Sequence, residues 1–183
     1  MSWLNFFTRR PDGRAAELQP MAAPPPAPMS PGMKKLTALV GTAAVGLVAV
    51  TAQWEGKRND PYKDIVGVWT VCYGDTRSPM RRYTDAECKD MLAERLVQYA
   101  QPVLERNPEL RGHDPQIIAA ASLAYNIGPA AYRRSSVAMH FSSGNWRAAC
   151  DAFMRWNMAG GRPVAGLTRR REAERAICLR DLP

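Results

Sequence analysis

The chain has 183 residues, with 15 prolines, four cysteines, two histidines and a formal net charge of +8. That length holds one domain of ordinary size plus an appendage. The basic excess points either to an anionic partner (nucleic acid, phospholipid headgroups, the bacterial envelope) or to simple solubility. The cysteines form no CxxC pair and match no zinc spacing, and neither histidine sits beside one, so no metal site is expected.

In chain order, residues 1–33 read as an unstructured tail. The run from Pro20 to Pro31 is Pro/Ala-rich and cannot build a core. Met33-Lys34-Lys35 then looks like the start of a short export signal and an alternative translation start. From Leu36 to Trp54 there is no charged residue, close to the ~20 residues of a bilayer-spanning helix. Lys34 and Lys35 precede it, with Arg9, Arg10 and Arg14 further upstream, which places the N-terminus in the cytoplasm. The segment is weakly apolar, with three leucines and with Gly41, Gly46, Thr37, Thr42 and Thr51 interrupting it. A cleaved signal peptide, a permanent anchor and a buried core helix all compete; a reversible anchor over residues 34–54 fits the composition best, leaving 55–183 as the folded domain.

Residues 62–76 are rich in β-branched and aromatic residues and read as a small β-hairpin region. Thr84-Asp85-Ala86-Glu87 is a capping box opening a helix that kinks or ends near Pro102. Asp114-Pro115 opens a helix with few polar residues, expected to be central and buried, with Gly128 as its stop. Further helices are expected around 130–141, 145–157 and 168–179, with Gly160-Gly161 separating the last two. The fold class is α+β, mostly helical. An even cysteine count behind an export segment fits two disulfides. Of three connectivities, the local pairing Cys72–Cys88 and Cys150–Cys178 is preferred.

Glycoside hydrolysis usually needs two carboxyl groups, one protonated to assist the leaving oxygen. Glu55 lies where the apolar segment meets the folded domain, next to Trp54, a setting suited to keeping a carboxyl protonated. Asp64 follows nine residues on, and Thr70 six further. The bland alternatives are a helix-flanking carboxylate, a turn aspartate and a strand threonine. Trp69, Trp146 and Trp156 read either as core or as platforms for sugar rings.

Glu55-Gly56, Tyr62-x-Asp64, Gly67, Thr70, Gly74 and Thr76 resemble the catalytic signature of the phage-type lysozyme family. Ala124-Tyr125-Asn126-Ile127-Gly128 is similar to its central-helix motif, and Gly166-Leu167 with Arg170, Arg171 and Glu174 to its C-terminal helix. The resemblance spans roughly residues 54–180. It implies a lysozyme-like fold with a helical lobe, and hydrolysis of the β-1,4 bond between N-acetylmuramic acid and N-acetylglucosamine. Glu55 would be the general acid, Asp64 would orient or activate water, and Thr70 would help hold it. Tyr62 and Asn126 would contact substrate, Asn126 reading equally as an ordinary helix-end residue. No cofactor is implied.

The weak anchor resembles that of signal-anchor-release endolysins. That resemblance implies export by the secretion machinery, tethering in the inner membrane through residues 36–54, release to the periplasm, partnership with a holin or pinholin, and a monomer after release. The anchor holds no cysteine, so activation by thiol exchange is not expected. The alternatives are a lytic transglycosylase acting on the same bond and a non-catalytic peptidoglycan-binding membrane protein. A role on nucleic acid is disfavoured by the lack of any helix-turn-helix or zinc-finger signature.

Overall fold

The computed structural model describes residues 28–64 and 66–183. The tail expected over residues 1–27 lies outside them. Eight α-helices and two small antiparallel strand pairs are found among the described residues.

The weakly apolar segment forms two helices, α1 (Pro31–Val40) and α2 (Ala43–Trp54), bent by 115°. Gly41 makes the break: its φ of +58 suits glycine, and its N–H caps α1 by donating to Thr37 O. No single helix among the described residues is long and apolar enough to cross a membrane, although the bent pair together passes that test of length and composition. Leu36, Val40, Ala43, Ala44, Leu47, Val48 and Thr51 are buried in the same core as the rest of the domain. Helix α1 lies on α3 (Asp85–Arg106), and α2 lies on α4 (Asp114–Ile127).

The start of α1 corrects the expectation of an unstructured chain up to residue 33. Asp90 of α3 accepts hydrogen bonds from Ser30 Oγ (2.5 Å) and from the Met33 N–H (3.2 Å). It caps α1 from a neighbouring helix, where a carboxylate is favoured. Gly32 makes this approach feasible, since a Cβ there would stand 2.3 Å from the Asp90 carbonyl oxygen.

The hairpin is β1 (Arg58–Lys63) paired with β2 (Trp69–Cys72), with Tyr62 opposite Thr70 and Lys63 opposite Trp69. The capping box forms: Thr84 accepts from the Glu87 N–H, and Glu87 accepts from the Thr84 N–H. Helix α3 then runs through Pro102 to Arg106 rather than ending there. Ala100, Val103 and Leu104 continue its buried face past the proline, and that burial outweighs the ~3 kcal/mol a helix-interior proline costs.

Helix α4 is buried continuously from Gln116 to Ala124, as expected of a central helix, and stops at Gly128 with φ +87. The expected helix over 130–141 is two short ones, α5 (Pro129–Arg133) and α6 (Ser136–Ser142). Next come α7 (Trp146–Asp151) and a 3-10 turn over Ala152–Trp156. Gly160 and Gly161, both at positive φ, turn a second hairpin, β3 (Met158–Ala159) and β4 (Arg162–Pro163), before α8 (Ala165–Cys178). Both disulfides take the local pairing: Cys72–Cys88 ties the first hairpin to α3, and Cys150–Cys178 ties α7 to α8.

Candidate active site

Glu55 is the C-cap residue of α2, three residues before β1. Its backbone N–H closes the helix on Thr51 O, so the buried face of α2 fixes where the side chain starts. The carboxyl is partly exposed, and its Oε1 lies 3.0 Å from Arg170 Nη1 of α8. The setting is therefore not the apolar pocket expected from Trp54; a nearly buried guanidinium stands on the carboxyl instead.

Asp64 follows β1. Its Oδ1 accepts from the backbone N–H groups of Val66 and Val68, both at 2.9 Å, which fixes the carboxyl plane. The Asp64 N–H donates to Val68 O at 3.0 Å, and the Thr70 hydroxyl donates to the same oxygen at 3.0 Å. Asp64 and Thr70 are thus brought together around one carbonyl. Neither bonds directly to Glu55, which precedes β1 by three residues while Asp64 follows it. Thr70 is 3% exposed and faces inward. Strand residues alternate faces, so Trp69 points the other way, half exposed with Lys63 Nζ 5.4 Å from its ring centroid. Cys72, with φ +55 and disulfide-bonded, holds the end of β2 in a conformation rare for a non-glycine residue.

Tyr62 pairs with Thr70 across the ladder, with the Arg58 guanidinium 4.6 Å from its ring centroid. Tyr125, near the end of α4, packs with its ring tilted against Tyr99 (4.8 Å) and lies under Arg95. Burial pushes the Tyr125 phenol up to about 12; Arg95 opposes this and the Glu55 carboxylate adds to it, so the hydroxyl stays neutral beside the candidate acid. Asn126 is exposed, and its Oδ1 accepts from Arg171 Nη2 at 3.1 Å.

Trp146 and Trp156 belong to packing. Trp146 packs with its ring tilted against His113 (4.7 Å) and meets Phe141 edge-on, and Trp156 packs on the core. The hollow of about 670 Å³ beside Trp146 holds none of the candidate catalytic residues. Sequence reasoning missed Arg170 as a neighbour of Glu55. The pair is separated by 115 residues; the only signal was the Arg170-Arg171 and Glu174 motif.

The phage lysozyme family matches residues 52–174, which include Glu55, Asp64, Thr70, Asn126 and Arg170. The SAR-endolysin of Enterobacteria phage P21 is 38% identical over 164 residues, covering 82% of this chain and 98% of that one. Among solved structures, a mutant P22 lysozyme is similar with a TM-score of 0.63 at 28% identity, over 73% of this chain and 95% of that one. The active form of the P1 phage endolysin Lyz has the same fold, with a TM-score of 0.64 at 24% identity over 84% of this chain and 96% of that one. The chain belongs to the phage lysozyme family. Within it, its place is among the SAR endolysins, and it is a peptidoglycan-degrading lysis enzyme.

Proposed function

We propose that the protein is a muramidase that hydrolyses the β-1,4 bond between N-acetylmuramic acid and N-acetylglucosamine, with Glu55 as the acid. The observation that carries this reading is the shared tether of Asp64 and Thr70 on Val68 O, just past the end of the strand that follows Glu55. Glu55 gives its proton to the glycosidic oxygen as the bond from the muramic C1 breaks. A water oxygen bonds to C1 and releases its proton to Asp64. The one hydroxyl donor of Thr70 is committed to Val68 O, so its oxygen is left to accept from that water and turn a water lone pair toward C1. Tyr62, which pairs with Thr70, and Asn126, which is held by Arg171, contact the glycan.

In the same reading, residues 36–54 are a signal anchor. The secretion machinery inserts them in the host inner membrane with the N-terminus cytoplasmic and the domain periplasmic. Their release, in partnership with a holin or pinholin, delivers a monomeric enzyme to the periplasm. Burial of Leu36, Leu47 and Thr51 in the domain core supports a segment with two resting places. While it lies in lipid, Glu55 is held at the bilayer face, away from Asp64.

Mass spectrometry of fragments released from purified Gram-negative peptidoglycan tests the chemistry. Hydrated muropeptides with reducing ends, absent with Glu55→Gln, are expected. Anhydro ends would make the protein a transglycosylase and remove the water role of Asp64. No fragments from a folded chain would leave a binding protein.

A further inference from the structure

The hydrolytic reading leaves a buried carboxylate unused. Glu174 on α8 is fully buried and no step of the reaction touches it. Its Oε1 accepts from Ser122 Oγ (2.7 Å), Arg170 Nε (3.2 Å) and Arg171 Nη2 (3.3 Å). Its Oε2 is ion-paired with Arg171 Nε at 3.0 Å. Each arginine has a second engagement. Arg170 reaches Glu55 through Nη1 at 3.0 Å and Ser122 O through Nη2 at 3.4 Å. Arg171 reaches Asn126 Oδ1 through Nη2 at 3.1 Å.

We propose that Glu174 is a positioning residue for both halves of the site, orienting Glu55 through Arg170 and Asn126 through Arg171. Neighbouring helix residues point about 100° apart, which is why two adjacent arginines reach two different residues, Glu55 and Asn126. Glu174, three and four residues on, lies over both. Its charge separates two guanidiniums that would otherwise repel in a medium of low dielectric. Burial raises Glu174 and lowers Arg171 to about 10, against the attraction between them. A cluster that costs this much desolvation contributes fixed geometry more than stability. Arg171 Nη1 is buried without a hydrogen-bond partner, so the placement of this side chain rests on Glu174 and Asn126.

The inference rests on the reading of Glu55 as the acid and Asn126 as a glycan contact. Its test is steady-state hydrolysis of soluble, uncrosslinked glycan strands by the full chain, with the folded fraction of each variant measured by circular dichroism. Arg170→Lys keeps the charge but cannot span Glu174, Ser122 and Glu55; kcat should fall about tenfold with KM nearly unchanged. Arg171→Lys should raise KM severalfold with kcat nearly unchanged. Glu174→Gln should do both. Ser122→Ala, a milder change, should repeat the Glu174→Gln pattern at smaller size and keeps the test alive if Glu174→Gln does not fold. Losses that only track the folded fraction, with KM constant throughout, would overturn the proposal. A wild-type chain that releases no reducing ends would instead overturn the muramidase reading on which it stands.

Discussion

Asp64 and Thr70 are joined through a single acceptor: the Asp64 N–H and the Thr70 hydroxyl both donate to Val68 O at 3.0 Å. The tether fixes the Asp64 backbone against the Thr70 side chain, and in the proposed reaction both hold one water. It also predicts what Thr70→Val does. Valine keeps the shape and strand preference of threonine and loses only the oxygen. We predict a loss of about 100-fold in kcat, with stability lowered by about 1 kcal/mol for the lost hydrogen bond. Retention of full activity in muropeptide release would show that Thr70 is only a strand residue.

The contacts of α1 with α3 and of α2 with α4 predict different costs at two glycines. At Gly32 an added methyl meets the backbone oxygen of Asp90 at 2.3 Å, and that oxygen belongs to a helix that cannot move alone. At Gly46 it meets Ile118 Cδ1 at 2.6 Å, the tip of a flexible side chain. Gly32→Ala should therefore cost about 2–3 kcal/mol and Gly46→Ala about 1 kcal/mol or less. Denaturant unfolding of the released protein measures both, and a reversed order would contradict the docking of α1 on Asp90.

The Cys150–Cys178 disulfide closes α7 onto the end of the helix that carries Arg170 and Arg171, across 28 residues. Replacing both cysteines by alanine should cost about 3 kcal/mol. Thermal unfolding with and without reductant reads this directly: the wild type should lose stability in reductant and the double variant should not respond at that site.

Acid stability depends in part on the capping box. The Arg81 guanidinium, then the backbone N–H and hydroxyl of Thr84, hold the Glu87 carboxyl down to about 2 from its usual 4.5. A carboxyl with a depressed value stabilises the fold above its unfolded value, and the benefit is lost as pH falls through the folded value. The contribution is thus complete above pH 4.5 and gone below about 2. Glu87→Gln should flatten the unfolding midpoint across that window and leave its slope near pH 7 unchanged. An unchanged acid slope would remove Glu87 from the explanation.

Much of the fold was legible because its signals are local. The Thr84–Glu87 box, the Gly128 stop and the short-range cysteine pairs each depend on a few neighbouring residues. What sequence reasoning missed depends on distant partners. Residues 36–54 read as one span because hydropathy records composition and not the surface that waits on α3 and α4. Their bend at Gly41 is decided by burial of Leu36 and Leu47. Pro102 sits inside a helix for the same reason. The Arg170 partner of Glu55 lies 115 residues away, beyond any periodicity.

We propose that residues 36–54 serve both as the anchor and as a part of the enzyme's core, so that the active site forms only on release. The direct measurement is the specific activity of the same chain, inserted in inner-membrane vesicles with the domain outside and after release into the soluble fraction, on solubilised glycan strands that reach both equally. The account predicts activity confined to the released fraction, at least about 100-fold above the inserted one. Equal specific activity in the two fractions would contradict it.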